Sequence, residues 1–307
     1  MAILLAAPGR DTAPLVAAIA QIDPEVDLRV WPDLGDPQDI EFAVLWQHPR
    51  GLLATLPRLR AVSSLGAGVE HLLTDADLPS GLPVGRLAGA RLAADMATYL
   101  IGQVLAHWRD FQHFTASQIS HAWAPWAPDK IPLIGLLGTG QMGAAAARAF
   151  QALALPVEGW NHSGATAADI HIHTGQAGLL DLVERADYLL CLLPLTVETR
   201  GILGSNLFKV MKPDSVLINV ARGQHLVEAD LLEALARGAP GLAILDVFSE
   251  EPLPPQHPFW SHPRIRITPH CASITRDREA AELMLESYRR VQARAMPLGL
   301  VDRRLGY

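Results

Sequence analysis

The chain has 307 residues, of which 50% are hydrophobic and 19% charged, a composition typical of a globular protein with one large domain or two ordinary ones. Its net charge of −7 includes no basic run, which argues against a nucleic-acid or membrane partner. Its two cysteines form no disulfide framework and no CxxC pair, which favours a reducing, cytoplasmic location.

The first third of the chain predicts short buried strands that alternate with helices. The opening stretch, MAILLAAPGR, has no basic residue before its apolar run and is too short to span a bilayer, so we interpret it as a strand. Helical stretches such as Ala13–Gln21 separate the runs, which is typical of βαβ units on a parallel sheet. The predicted strands are Ile3–Ala7, Leu28–Trp31, Ala43–Trp46, Ala61–Leu65 and Val84–Leu87.

The middle of the chain interrupts this alternation. A helix-like segment runs from about Ala93 to Gln118 with no proline and with Gly102 as its single interior glycine. The stretch that follows, HAWAPWAPDKIP, is rich in proline and tryptophan and predicts an irregular arm. Trp123 and Trp126 lie in this arm, where exposed aromatic side chains would suit an interface between subunits.

A second βαβ series begins at Ile131 and leads to a last helix over residues 278–295. Helices are expected over Gln141–Ala154 and Ala229–Ala236, the latter with Gly238 as its C-cap. Two α/β series in one chain favour two domains. The predicted strands are Leu133–Leu137, Val157–Trp160, Tyr188–Leu192, Ser215–Asn219, Leu242–Leu245 and Ile265–Thr268.

The motif GLLGTGQMG (135–143) joins the first strand and helix of this second series. In such a turn, Gly138 permits the tight bend, Gly140 lets the backbone approach a pyrophosphate, and Gly143 lets the helix pack closely on the strand. Gln141 and Met142 begin the helix, whose free N–H groups favour an anion. We therefore predict a dinucleotide site, with an ordinary βα turn as the alternative.

The choice of dinucleotide depends on the loop after the next strand. An NAD site expects an acidic residue about twenty residues beyond the glycine loop, to accept a hydrogen bond from the ribose 2′-OH. This chain has Asn161, His162 and Ser163 there, with no acid to repel a 2′-phosphate and no arginine to attract one. The loop predicts NADPH narrowly ahead of NADH.

Four further strings follow in order: LPLTVETRGIL (193–203), INVARGQHLVEADLLEAL (218–235), LDVFSEEPLP (245–254) and ITPHCAS (267–273). With the glycine loop, they resemble the D-2-hydroxyacid dehydrogenase family, and SLGAGVEHLL (64–73) resembles its glyoxylate/hydroxypyruvate reductase A subgroup. The resemblance implies two Rossmann-like α/β domains with parallel sheets. A dinucleotide-binding domain (98–276) would be inserted into a flavodoxin-like substrate domain (1–97 plus 277–307), and the tryptophan arm would take part in a homodimer.

The resemblance also implies reduction of a small 2-keto acid, glyoxylate or hydroxypyruvate, by a nicotinamide cofactor. His270 matches the family's acid/base residue, and Glu251 matches the carboxylate that orients the imidazole and raises its pKa. Arg222 matches the arginine that pairs with the substrate carboxylate and polarises the keto oxygen. Glu250 is the rival of Glu251, and the EPLP string favours Glu251. His225 is the rival of His270, and the TPH string favours His270.

Three residues of the first domain are implied substrate contacts. Ala67 and Gly68, in the GAGVE loop, would bind the substrate carboxylate through backbone amides, with a plain turn as the alternative. Trp46 would wall the substrate pocket, unless it is a core side chain.

In the second domain, Pro194 and Thr196 would line the cofactor cleft, and Asp246 would contact the nicotinamide carboxamide. His171 and His173 could share one face of a strand, but no cysteine or acid completes a ligand set in the sequence nearby, so we expect no metal.

Other functions remain possible at this point, because fold does not imply function. The substrate could be a larger 2-keto acid such as phenylpyruvate. Some relatives of the family are dinucleotide-sensing corepressors, but such a binding protein would not need the full set of Arg222, Glu251 and His270. The β-hydroxyacid dehydrogenases share a Gly-x-Met-Gly loop, but theirs lies at the N-terminus and their acid/base residue is a lysine.

Overall fold

Alternating strands and helices make up most of the computed structural model, which describes residues 2–164 and 168–307. The strands are β1 (Ala2–Ala6), β2 (Leu28–Val30), β3 (Ile40–Leu45), β4 (Ala61–Ser64), β5 (Val84–Arg86), β6 (Ile134–Leu137), β7 (Val157–Trp160), β8 (His171–His173), β9 (Tyr188–Cys191), β10 (Val216–Asn219), β11 (Leu242–Leu245) and β12 (Ile265–Ile267). The helices are α1 (Ala13–Ile22), α2 (Glu70–Leu73), α3 (Ala90–Trp108), α4 (Phe111–Ile119), α5 (Gln141–Ala152), α6 (Gly175–Arg185), α7 (Ser205–Phe208), α8 (Glu228–Arg237) and α9 (Asp277–Gln292). None of the described helices combines the length and apolarity needed to cross a bilayer.

The chain forms two compact units. Unit 1 comprises Met1–Leu92 and Thr275–Tyr307, and unit 2 comprises Ala93–Ile274, so unit 2 is inserted into the sequence of unit 1. The sequence predicts the two boundaries at residues 97/98 and 276/277.

Unit 1 is built on a five-stranded parallel sheet with the order β2-β1-β3-β4-β5, the flavodoxin-like arrangement. Its interior strand β1, between β2 and β3, is buried along its whole length, as expected of a parallel strand covered on both faces. Ile19 of α1 and Leu285 of α9 share one core with Ile3 of β1, so the last helix of the chain completes the core that the first strand begins.

Unit 2 is built on a seven-stranded parallel sheet with the order β12-β11-β10-β9-β6-β7-β8. The order reverses between β6 and β9, and ligands of open α/β sheets bind at the carboxyl ends of the strands near such a reversal. The glycine loop follows β6, and the segments with Arg222, Glu251 and His270 follow the neighbouring strands β10, β11 and β12. Residues distant in sequence therefore meet at one edge of the sheet.

The eleven strands predicted from the sequence are present, with boundaries shifted by at most three residues, and Gly238 caps α8 in the left-handed conformation. The single helix predicted from about Ala93 to Gln118 is wrong, because α3 ends at Trp108 and α4 begins at Phe111. Asp110 breaks it with a φ of +47°, and its carboxylate accepts a hydrogen bond from the His113 amide (3.2 Å) as an N-cap.

Candidate active site

The glycine loop of unit 2 has the geometry that a dinucleotide pyrophosphate requires. Gly138 has a φ of +96°, and a Cβ there would lie 2.9 Å from the carbonyl of Leu192. A Cβ on Gly143 would lie 2.1 Å from the carbonyl oxygen of Gly138, so α5 can pack this closely on the loop only because residue 143 has no side chain. Gly140, just before the first residue of α5, faces open space. The residues present therefore fit the phosphates of a dinucleotide.

Asn161 shapes the turn that follows β7. Its Nδ2 donates to Thr139 Oγ1, and its Oδ1 accepts a hydrogen bond from the Gly164 amide at 2.6 Å. His162 and Ser163, between these contacts, are exposed. Asn161 thus anchors the turn, while the next two side chains remain accessible to a ligand.

Pro194 and Thr196 lie in a turn after β9, the strand that pairs with β6. Thr199 closes this turn, because its Oγ1 donates to the Pro194 carbonyl (2.7 Å) and accepts from the Thr196 amide (2.8 Å). Apart from Asp246, which follows β11, the predicted cofactor residues therefore lie after β6, β7 and β9 or at the start of α5, and these three strands are neighbours in the sheet.

Arg222 follows β10 and is held through its backbone. The buried side chain of Asn219 accepts from the Ala221 amide (3.1 Å) and donates to the Arg222 carbonyl (3.0 Å). A Cβ on the next residue, Gly223, would lie 1.8 Å from the backbone carbonyl carbon of Phe248, which follows β11. This glycine lets the Arg222 loop pack directly on the loop that contains Glu251.

Glu251 and His270 form a hydrogen-bonded pair. The His270 Nδ1 lies 2.7 Å from Glu251 Oε2, and Glu251 Oε1 accepts from the Phe248 amide at 2.8 Å. Since the Nδ1 proton donates to the carboxylate, Nε2 is the nitrogen that can exchange a proton with a substrate. Glu250 is exposed, and the carboxylate in contact with His270 is that of Glu251.

The two partners shift each other's pKa in opposite directions. The hydrogen bond and charge of Glu251 raise the pKa of His270 above its ordinary value, against the lowering effects of partial burial and of the Arg222 charge. Partial burial acts to raise the pKa of Glu251, but the hydrogen bonds from His270 and the Phe248 amide, together with nearby positive charge, hold it below its usual value. The arrangement favours an imidazolium beside a carboxylate.

Asp246 is fully buried and holds the segment that contains His270. Its Oδ1 accepts from Thr268 Oγ1 (2.5 Å) and the Cys271 amide (2.9 Å), and its Oδ2 accepts from the Ala272 amide (3.0 Å). The resemblance implies a role for Asp246 only at the nicotinamide carboxamide. Thr268 is not among the predicted site residues, although it is a polar residue at a strand end two positions before His270.

Tyr99 of α3 extends this network. Its hydroxyl lies 2.6 Å from Thr268 Oγ1, and burial raises its pKa to about 12, so the phenol stays neutral. No sequence signal distinguishes Tyr99 from the other apolar-face residues of α3.

The rival histidine, His225, is fully buried. Its ring nitrogens lie 3.2 Å from the Arg222 amide nitrogen and 3.2 Å from the Pro194 carbonyl oxygen. It is therefore placed among backbone groups, whereas His270 is placed beside a carboxylate.

In unit 1, the loop containing Ala67 and Gly68 follows β4. Ser64 Oγ donates to the Gly68 carbonyl at 2.6 Å, which curls the loop around the end of the strand. Trp46, after β3, packs against the loop, since a Cβ on Gly66 would lie 3.3 Å from its ring. Unit 1 thus brings its three predicted substrate contacts into one group.

Residues 101–272 match the family model described as D-isomer specific 2-hydroxyacid dehydrogenase, NAD binding domain. A glyoxylate/hydroxypyruvate reductase A from Serratia proteamaculans is 37% identical over 299 residues, covering 95% of both chains. A D-isomer specific 2-hydroxyacid dehydrogenase from Xanthobacter autotrophicus, solved with NADPH and MES, is 33% identical with a TM-score of 0.92 and covers 100% of this chain and 99% of its own. An NADPH-dependent glyoxylate/hydroxypyruvate reductase from Sinorhizobium meliloti, solved with NADP and sulfate, is 31% identical with a TM-score of 0.91 over 100% of both chains.

Proposed function

The chain belongs to the D-isomer specific 2-hydroxyacid dehydrogenase family and is an NAD(P)-dependent dehydrogenase, and from that premise we propose that it reduces glyoxylate or hydroxypyruvate to the 2-hydroxy acid. The observation that carries this proposal is the 2.7 Å contact between His270 and Glu251, grouped with Arg222 at the ends of neighbouring strands. The similar reductases from Serratia and Sinorhizobium support the substrate class.

Arg222 binds and activates the substrate in this proposal. Its planar guanidinium can pair with the carboxylate of a 2-keto acid and polarise the adjacent keto oxygen. The buried Asn219 and the close packing of Gly223 fix the backbone on either side, so the side chain extends from a rigid loop. Its Nη1 donates to the Ala221 carbonyl at 2.7 Å.

His270 supplies the proton. When bound, the reduced nicotinamide supplies a hydride to the keto carbon. His270 gives its Nε2 proton to the keto oxygen, which becomes the hydroxyl of the product, and the imidazole is left neutral with Nδ1–H still bonded to Glu251. In the reverse direction, the neutral ring accepts that proton. The raised pKa of His270 keeps the imidazolium populated for reduction.

NADPH is the proposed cofactor, with NADH as the alternative. Asn161 has no charge to repel a 2′-phosphate, and the exposed His162 and Ser163 offer it hydrogen-bond donors. In unit 1, Ala67, Gly68 and Trp46 are the proposed substrate contacts, because the loop that contains Ala67 and Gly68 packs against the Trp46 ring.

We also propose a cytoplasmic homodimer. The two cysteines of the chain, Cys191 and Cys271, are free thiols, which suits a reducing compartment. Apolar side chains of α4 and the arm are exposed, most of all Ile119 (77%) and Trp123 (98%), and a second copy of the chain would cover them.

Steady-state kinetics test the activity. Glyoxylate, hydroxypyruvate and phenylpyruvate would each be assayed with NADPH and with NADH. We expect the highest kcat/KM for glyoxylate or hydroxypyruvate with NADPH, and a loss of at least about a hundredfold in His270→Ala. If none of the 2-keto acids oxidised either cofactor, the proposed function would be wrong. Undiminished turnover by His270→Ala would remove the role proposed for this histidine.

A further inference from the structure

We propose that His225 is a positioning residue that couples the substrate arginine, Arg222, to the cofactor turn at Pro194. The inference rests on the proposed function, because it assigns a role to a residue that acts through Arg222. His225 lies three residues after Arg222 and is fully buried, so its ring sits between the loops that follow β9 and β10.

The hydrogen bonds of the ring define one tautomer. A carbonyl oxygen can only accept, so the Nε2 atom, 3.2 Å from the Pro194 oxygen, must carry a proton. The Arg222 carbonyl already accepts from Asn219 Nδ2 (3.0 Å) and from the His225 backbone amide (3.2 Å). The Nδ1 atom lies 3.2 Å from both the carbonyl oxygen and the amide nitrogen of Arg222. Because the carbonyl already has two donors, Nδ1 serves as the acceptor for the amide.

This neutral Nε2–H tautomer satisfies both loops at once. An imidazolium would present an N–H to the Arg222 amide and lose that bond, and a non-polar side chain would lose the bonds to both loops, leaving the Pro194 carbonyl with its bond from Thr199 Oγ1. The role thus requires an acceptor at Nδ1 and a donor at Nε2, which histidine provides in a single rigid ring.

Further backbone hydrogen bonds connect the two loops directly. The Leu203 amide donates to the His225 carbonyl (2.9 Å), and the Gly201 amide donates to the Gln224 carbonyl (3.0 Å). The Pro194 carbonyl also accepts from Thr199 Oγ1, the residue that closes the cofactor turn. A shift of the turn at Pro194 would therefore be transmitted through the His225 ring to the backbone nitrogen of Arg222.

Two variants separate the two hydrogen bonds. His225→Asn keeps an acceptor close to the position of Nδ1 but has no group that reaches Pro194. His225→Gln keeps a donor close to the position of Nε2 but lacks the acceptor for Arg222. We expect His225→Asn to weaken NADPH binding by about fivefold, with a glyoxylate KM within about twofold of the wild-type value. We expect His225→Gln to raise the glyoxylate KM by about fivefold, with an NADPH dissociation constant within about twofold of the wild-type value.

The measurements are the glyoxylate KM at saturating NADPH and the NADPH dissociation constant from fluorescence titration without substrate. The matched control is His107→Asn, because His107 is a partly buried histidine of the same unit, with its Nδ1 2.7 Å from the Tyr188 hydroxyl. It should lower the melting temperature without changing either constant. A merely structural role for His225 would move both constants together with the melting temperature.

The inference is supported if His225→Asn changes mainly the NADPH dissociation constant and His225→Gln changes mainly the glyoxylate KM. Unchanged constants in both variants, or equal changes of both constants in each variant, would overturn it. If the wild-type protein reduced no 2-keto acid, the proposed function would fail separately. The NADPH titrations of the two variants would still decide whether His225 holds the turn at Pro194.

Discussion

At the scale of single residues, the proposed chemistry depends on charge at two neighbouring side chains. His270 has a φ of +51°, which is uncommon for a residue other than glycine, and three hydrogen bonds from its segment to the Asp246 carboxylate hold the segment in this conformation. Glu251 then accepts the Nδ1 proton. The backbone thus sets the position of the imidazole, and the carboxylate sets its charge.

The effect of the Glu251 charge on the pKa of His270 should appear as a difference between the pH profiles of the wild type and of Glu251→Gln. In the wild type, reduction requires the imidazolium, so kcat/KM is full at low pH and falls as pH rises through the raised pKa of His270, above its ordinary value of 6.5. Removing the carboxylate lowers this pKa, because its hydrogen bond and charge are the main cause of the upward shift. The falling limb should therefore move to lower pH.

Glu250→Gln is the matched control for this experiment, since Glu250 is the adjacent glutamate in the sequence and the carboxylate in contact with His270 is that of Glu251. Its pH profile should coincide with that of the wild type. A falling limb that stays in place in Glu251→Gln would show that Glu251 does not set the pKa of His270.

At the scale of elements, glycines decide how closely helices approach strands. Gly143 lies in the first turn of α5, directly over the carbonyl of Gly138. Gly102 lies in the interior of α3, and a Cβ there would meet nothing within 4 Å. Two helical glycines thus have opposite expected costs, because packing opposes a side chain at one position and permits it at the other.

Gly143→Ala should weaken NADPH binding by about tenfold or more and lower the melting temperature, because the new methyl group overlaps backbone that cannot move away without opening the loop. Gly102→Ala should stabilise the protein by about 0.5–1 kcal/mol without changing NADPH binding, because alanine restricts the unfolded chain and favours the helix. Fluorescence titration and thermal unfolding of both variants would check this pair. Equal NADPH affinity in the two variants would contradict the expected role of Gly143.

At the scale of the whole molecule, two parallel sheets are assembled from one chain that leaves unit 1 and returns to it. In unit 2, the sheet order places three distant segments after neighbouring strands. The surface of unit 2 also has an apolar region on α4 and the arm, where Phe111, Ile119 and Trp123 are exposed. Exposed apolar side chains grouped in this way are typical of a protein interface.

Trp123→Asp should shift the protein from dimer to monomer, because a charge in the buried centre of an interface has no partner there. Light scattering coupled to size exclusion would report twice the chain mass of 33.2 kDa for the wild type and a single chain mass for the variant. Leu153→Asp, at an exposed apolar position after α5, is the control and should remain a dimer. A monomeric wild type would show that the exposed region has another purpose.

Local patterns in the sequence were sufficient to predict most of the strands and the dinucleotide turn. Buried parallel strands are continuous apolar runs, so the strand positions were visible, and the spacing of Gly138, Gly140 and Gly143 identified the dinucleotide turn. The break at Asp110 was not visible, because no glycine or proline marks it and a left-handed aspartate looks like any polar residue of a helix surface. The strand β8 (His171–His173) was not among the predicted strands, because its three residues have little apolar character. The sequence indicated it only through the possibility that His171 and His173 share one face of a strand.

The sequence by itself determined the α/β class, the late position of the glycine loop and the resemblance that singles out Arg222, Glu251 and His270, because these depend on residue type and order along the chain. Only the tertiary structure decided which groups touch: the Glu251 carboxylate on His270 Nδ1, the Asp246 carboxylate on the His270 segment, and the His225 ring between two loops. These contacts join residues separated by up to 31 positions, and their distances follow from sheet order and close backbone packing. Hydrogen bonds depend on such distances to within a few tenths of an ångström, which a one-dimensional pattern does not contain.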